Sequence, residues 1–134
     1  MSYDPVVRTR LLARIVGPYL VIVAVAMFAR LDTLNLLFPA FMQDGPLVFA
    51  TGAFTLMAGL TIVAFHHHWN SAPAIAISLI GFAAAIKGAM LMIAPTLGSA
   101  MTVVVVQTPP VLIIAIVLEV ALGLWLSYVG WFQK

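Results

Sequence analysis

The chain has 134 residues, of which 64% are hydrophobic and 7% are charged. An ordinary soluble domain carries about 25% charged residues, and a domain of this size could not bury so much apolar surface. We therefore expect an integral membrane protein in contact with the lipid bilayer. The net charge of +2 comes from six basic residues and does not indicate a nucleic-acid partner. Cysteine is absent, which excludes disulfides and thiolate metal sites.

Four long apolar segments predict four membrane spans, at about 15–37, 47–66, 73–94 and 110–130. Pro18 falls in the first turns of the first predicted span, where a proline costs little. The segment after Arg14 lacks a small-residue cleavage site in the expected position, so we expect a retained first helix rather than a signal peptide.

The polar residues between spans indicate which segments lie at the membrane interfaces. Arg30 and Asp32 follow the apolar part of the first span and are predicted at the outer interface, with an amphipathic connector down to Asp44. The uncharged segment 96–108 is predicted to be an outer loop that dips into the interface or packs on the bundle.

Four spans place both termini on one side of the membrane. Arg8, Arg10, Arg14 and Lys134 fall on that side, so it is predicted to be cytoplasmic. The prediction is a single domain over 1–134, an all-α integral membrane four-helix bundle with antiparallel, up-down-up-down topology.

Two spans carry stripes of small residues. Gly52 and Gly59 lie seven residues apart in the second span, and Gly81 and Gly88 lie seven apart in the third. Faces of this kind allow two helices to approach closely in a membrane. We therefore predict helix contacts at these glycines.

Lys87 and Glu119 are the two charged residues deep inside apolar segments. Each costs about 2.5–3.5 kcal/mol at the centre of a spanning helix, so such residues usually face one another or a polar cavity. The third and fourth spans are consecutive and predicted to be neighbours. At 1.5 Å per residue the two depths differ by about 3 Å, which predicts an intramembrane pair.

Three interpretations of this pair stay open. The first is that the pair holds the two spans in register or satisfies polar groups at a subunit contact. The second is that it forms a proton or ion relay. The third is that one member contacts a ligand, a lipid or a partner protein. A relay needs more polar lining than the first two spans supply, where the polar groups are Tyr19, Thr51, Thr55 and Thr61.

His66, His67, His68 and Trp69 follow the second span. Neutral imidazoles bind Zn²⁺, Cu²⁺ and haem iron, but consecutive residues on a helix point about 100° apart and cannot converge on one ion. We expect an interface cap, in which histidine interacts with the helix dipole and Trp69 anchors at headgroup depth. Headgroup or ligand contact is the main alternative, and no metal site is predicted.

No other chemistry-bearing motif is present: the sequence contains no Gly-rich phosphate loop, no Ser-His-Asp set, no H-E-x-x-H segment and no paired acids. We therefore expect neither an enzyme nor a bound cofactor.

One part of the chain resembles a known pattern. Phe65-His66 with Trp69, followed by Ile80-Gly81, Ile86-Lys87-Gly88 and Pro95, is similar to a motif of small four-span bacterial inner-membrane proteins of uncharacterised function. The likeness covers a third to a half of the chain, and Phe82 and His67 depart from the pattern. It implies a bacterial cytoplasmic membrane location and brings no activity or site residues.

The leading functional hypothesis is a structural or accessory membrane subunit that packs in a homo-oligomer or on a larger membrane complex through its small-residue faces. The first alternative is a minor transporter or proton-conducting protein that uses Lys87 and Glu119. The second is binding of a lipid tail, quinone or pigment in a groove lined by Met57, Met90, Met92 and Phe82.

Overall fold

The computed structural model describes residues 4–133, which form six helices. They are α1 (Pro5–Ala29), α2 (Leu31–Gln43), α3 (Gly45–Phe65), α4 (Ala72–Ile93), α5 (Pro95–Gln107) and α6 (Pro109–Trp131). Four of these helices, α1, α3, α4 and α6, are long and apolar enough to cross a membrane. The prediction of an all-helical chain with four apolar spans is therefore confirmed.

Prolines and short polar side chains mark where the helices begin. Every helix except α2 has a proline among its first two residues, where the missing N–H would have no intrahelical acceptor. Asp4, Asp44 and Ser71 accept hydrogen bonds from first-turn backbone N–H groups of α1, α3 and α4. These caps satisfy donors that the helix itself leaves free. The helix starts therefore follow from residues visible in the sequence.

The first spanning helix begins earlier and ends earlier than the sequence suggested. It runs over Pro5–Ala29, and the chain turns at Arg30 before α2 begins. Pro18 consequently lies in the interior of α1, so its assignment to the first turns of the helix is wrong. The basic segment before Arg14 is part of the same helix, which moves the start ten residues back. An interior proline removes one backbone hydrogen bond, a defect that spanning helices tolerate where neighbouring helices pack closely.

The two connectors on the side away from the termini are helical. α2 and α5 have 13 residues each, or about 20 Å of helix, which is shorter than the roughly 30 Å hydrocarbon core of a bilayer. The segment predicted as a loop over 96–108 is therefore largely α5, started by Pro95. α5 contacts α2, α4 and α6, so it packs on the rest of the chain.

The four long helices form two tightly packed pairs, α3 with α4 and α1 with α6. In the first pair, Gly59 lies against the backbone of Ala85 and Gly88 lies against the backbone of Leu56. These contacts run in opposite order along the two helices. The small-residue faces at Gly59 and Gly88 were expected to pack the protein on itself or on a larger complex, but they contact each other within the chain and pair α3 with α4.

The second pair uses glycines in the same way. A Cβ atom on Gly17 would lie 2.5 Å from the backbone nitrogen of Ser127, and one on Gly130 would lie 2.6 Å from that of Arg14. Real Cβ atoms do not approach other atoms so closely, so only glycine fits at these points. This contact was not predicted, because consecutive spans were expected to pack together.

Two apolar clusters join the pairs and the short helices. The first contains Ala13, Val16, Ile77 and Leu126, and thereby connects the α1–α6 pair to α4. The second contains Ala24, Leu112 and Ile116, with residues of α2 and α5 packed against it. The main partner of α4 is α3 and that of α6 is α1, so α4 and α6 meet mainly through the first cluster. α5 separates α4 from α6 along the chain, and this separation allows α6 to pack on α1.

Candidate functional site

A buried histidine lies where α3 ends, at the end of the molecule that also contains the start of α1 and the last turns of α6. We call this the histidine end. α3 stops at Phe65, and His66 takes an extended backbone conformation with φ −150° and ψ 103°. The backbone N–H of His66 donates to the carbonyl of Ile62. Its side chain turns inward and is 0% exposed.

Two hydroxyl groups from different helices contact the His66 ring. Nε2 lies 2.7 Å from Oγ1 of Thr9 in α1, and Nδ1 lies 3.2 Å from Oγ of Ser78 in α4. The Thr9 hydroxyl oxygen also lies 2.9 Å from the Pro5 carbonyl oxygen, and the Ser78 hydroxyl oxygen lies 3.0 Å from the His68 carbonyl oxygen. Within residues 4–133 no buried side-chain nitrogen or oxygen lacks a partner.

These bonds restrict the hydrogen positions on the ring. Each hydroxyl has one hydrogen and lies between a backbone carbonyl and a ring nitrogen, so it can donate to only one of them. A neutral ring donates from one nitrogen and accepts at the other, so one of the two hydroxyls donates to the ring. A protonated ring donates from both nitrogens and leaves both hydroxyls bonded to the carbonyls. The protonation state is thus coupled to the orientation of one hydroxyl.

Burial lowers the pKa of the His66 imidazole below its ordinary value of 6.5. Positive charge on His68 acts in the same direction, and weaker contributions come from His67 and Arg8, while a backbone hydrogen bond opposes them. Desolvation penalises the charged ring and the nearby cations repel it. His66 is therefore neutral at neutral pH.

The neighbouring aromatic residues have different surroundings. His67 is exposed, stacks on His68 at 5.6 Å between ring centroids, and lies 3.3 Å from the Val63 carbonyl. Trp69 is exposed and stacks on Phe82 of α4 at 6.4 Å. In the described part of the chain, no group of three or more His, Asp or Glu side chains is placed to hold a metal ion.

Two of the N-terminal arginines fasten α1 to other segments at this end. Arg8 donates to the Phe65 carbonyl at 3.5 Å, next to the buried histidine. Arg14 donates from Nε to the Gly130 carbonyl at 2.6 Å, and its guanidinium lies 5.5 Å from the centre of the Trp131 ring. Both side chains therefore use their charge on protein groups.

Lys87 and Glu119 lie inside two different spanning helices. Lys87 is about 22 Å along α4 from Ala72, and Glu119 is about 18 Å along α6 from Trp131. Lys87 is exposed and Glu119 is half-buried. The charge of Lys87 acts on the Glu119 carboxylate from a distance, without a hydrogen bond between them. Their direct pairing stays a prediction.

Arg30 and Asp32 lie at the opposite end of α1. Arg30 is the residue between α1 and α2, and its carbonyl accepts from the Thr33 hydroxyl at 3.1 Å. Asp32 is in the first turn of α2 and lines a cavity of about 380 Å³ with residues of α5 and α6. Both side chains are exposed.

The four residues proposed for a ligand groove do not form one surface. Met57 and Met92 line the same open groove beside α3. Met90 instead packs near Gly98 of α5, and Phe82 stacks on Trp69. Two of the four residues, Met57 and Met92, therefore line a common groove.

Sequence reasoning missed Thr9 and Ser78 as partners of His66. Thr9 lies 57 residues before the histidine and Ser78 lies 12 after it. Both are small polar residues that are buried, and Ser78 falls within an apolar span. A buried hydroxyl needs a hydrogen-bond partner, so an isolated serine in a span is a weak signal that such a partner exists.

The fold and this site define a multi-pass membrane protein with four candidate spans and a buried polar contact at one end. No family model matches the chain, and neither a curated protein nor a solved structure is found to match it.

Proposed function

We propose that the chain is a small accessory subunit of a bacterial cytoplasmic membrane, which packs in a homo-oligomer or on a larger membrane complex. Its spans form an antiparallel, up-down-up-down bundle with the histidine end in the cytoplasm. The basic residues Arg8, Arg10 and Arg14 support this orientation, because positive residues concentrate on the cytoplasmic side of spans.

The exposure of Lys87 carries the proposal. Its ammonium group lies well inside α4 and is not hydrogen-bonded to Glu119 of α6. An isolated chain would place this charge against lipid, which costs about 2.5–3.5 kcal/mol on insertion scales. A partner that covers this face of α4 with a polar or acidic group removes that cost. The uncovered charge of Lys87 therefore favours a partner that binds this face of α4.

The hydroxyl groups of the spans favour this role over transport. Thr61 donates to the Met57 carbonyl and Ser127 donates to the Gly123 carbonyl, both within their own helices. These two hydroxyl hydrogens are therefore used within their own helices and are not available as donors to a transported species. Glycine contacts also close both helix pairs backbone to backbone. These contacts therefore support a packing role for the molecule over transport.

The test is the association state of the full chain in mild detergent and in lipid nanodiscs. Wild-type protein is expected to elute with a second copy or with a larger membrane protein at fixed stoichiometry, and Lys87→Met is expected to weaken that association about tenfold. Phe54→Met is the matched control, because it changes an exposed side chain of α3 without altering charge. A monomeric wild type, or equal association of Lys87→Met, would contradict the proposal.

A further inference from the structure

A cavity of about 300 Å³ opens at the histidine end between the start of α1 and the start of α4. Its polar wall contains Arg10, His68, Asn70 and Ser71. Its apolar wall includes Val6, Pro73 and Val129. Water occupies about 30 Å³ per molecule in the liquid, so the cavity has room for a group the size of a phosphate ester and its glycerol.

Arg10 is the one of the three N-terminal arginines for which residues 4–133 provide no hydrogen-bond acceptor. Arg8 donates to the Phe65 carbonyl and Arg14 to the Gly130 carbonyl, whereas Arg10 lines the cavity. A guanidinium group presents its N–H donors in a planar fork that matches two phosphate oxygens. The cavity therefore contains a donor set without a protein partner.

The other polar groups of the cavity complement an anion. Asn70 accepts from the Trp69 backbone N–H through Oδ1, which leaves its amide hydrogens as donors. α4 begins at Ala72 beside the cavity, so the positive end of its dipole faces the same region. The nearest acid in sequence, Asp4, is engaged in capping Val6.

From these observations we propose that the cavity binds the phosphate group of an anionic phospholipid. A lipid fits better than a soluble phosphate because the apolar wall continues the surface of the spanning helices. Trp131, which lies beside the Arg14 guanidinium, and Tyr128 mark this end as a membrane interface. Anionic leaflets attract basic residues at this depth. The site is independent of the proposed packing role.

The test is lipid retention by the full chain, measured by native mass spectrometry in detergent with equal amounts of phosphatidylglycerol and phosphatidylcholine of the same acyl chains. Wild-type protein is expected to retain the anionic lipid preferentially. Arg10→Gln is expected to lower that preference about tenfold. Arg30→Gln removes the same charge at the opposite end and is expected to keep it.

Two further measurements decide the remaining outcomes. Arg10→Lys preserves the charge without the planar fork and is expected to give an intermediate preference, which keeps the test usable if Arg10→Gln does not fold. Unchanged preference in Arg10→Gln overturns the proposal, as does an equal loss in Arg30→Gln. Competition by millimolar glycerol 3-phosphate without any lipid preference would assign the cavity to a soluble phosphate and overturn the lipid assignment.

Discussion

The Nε2 atom of His66 lies 2.7 Å from the hydroxyl of Thr9, although the two residues are 57 positions apart in the chain. This bond joins the first spanning helix to the end of α3, and Ser78 extends the contact to α4. One fully buried ring therefore links three of the four long helices at the histidine end. The contact is polar in a molecule whose long helices pack mainly through apolar and glycine contacts, and it can be tested directly.

Thr9→Val removes the hydroxyl and keeps the shape of the side chain. The Nε2 atom of His66 then has no hydrogen-bond partner in a buried position, which costs about 1–3 kcal/mol of unfolding free energy. Thr61→Val is the matched control, because its hydroxyl bonds to Met57 within one helix on the exposed surface. Unfolding in mixed detergent micelles measures both. Equal losses would show that the Thr9–His66 bond adds nothing specific.

Stability is expected to fall on mild acidification because of His66. Its folded-state pKa is lowered from 6.5 by burial, so the unfolded chain takes up the proton more readily. The contribution of His66 is complete above about pH 6.5 and is lost progressively as the pH falls from there towards the lower folded-state pKa. The unfolding free energy of the wild type at several pH values between 7.5 and 5 measures this loss.

Two histidine variants separate this effect from other titrations. His66→Asn is expected to flatten the dependence, whereas His67→Asn changes an exposed ring and is expected to retain it. A wild type whose stability is constant across the same range would contradict the assignment of a neutral His66.

The parts of the fold that were predictable follow from local signals. Span number comes from hydropathy and length, and helix starts come from prolines and caps such as Asp44 and Ser71. No local signal in the sequence indicates which of the other spans each span packs against. Because α4 and α6 are consecutive spans, chain order predicted that they pack together. The 13-residue α5 separates them along the chain, and α4 packs mainly on α3 while α6 packs mainly on α1. The Gly17–Ser127 contact and the Thr9–His66 bond both depend on that pairing, so neither could be predicted from spacing.

Gly59→Ala is expected to destabilise the α3–α4 pair. The added Cβ atom would meet the backbone of Ala85, which cannot move without separating the helices. Overpacking of this kind costs about 1–3 kcal/mol. Gly45→Ala is the control, because no atom lies within 4 Å of a Cβ placed there. Unfolding free energies that fall equally in the two variants, or in neither, would contradict a close approach at Gly59.

Lys87 and Glu119 can be tested for direct coupling by a double-mutant cycle with Lys87→Met and Glu119→Gln. If the two side chains pair within one chain, each single change leaves the other charge without its partner, and the double variant recovers part of the loss. Direct pairing would give a coupling of about 0.5–3 kcal/mol in unfolding free energy. Additive losses would instead indicate that the two charges have separate partners, as expected if another subunit covers the exposed lysine.

The same variants distinguish packing from proton conduction. An accessory role predicts that proteoliposomes containing the wild-type chain conduct protons no faster than protein-free liposomes under an imposed pH gradient. A relay predicts flux that Glu119→Gln abolishes, since an amide cannot take up and release a proton at this position. Lys87→Met is the companion variant, because it removes the charge while the carboxyl group remains. Flux in the wild type that both variants lose would overturn the accessory role and favour the relay.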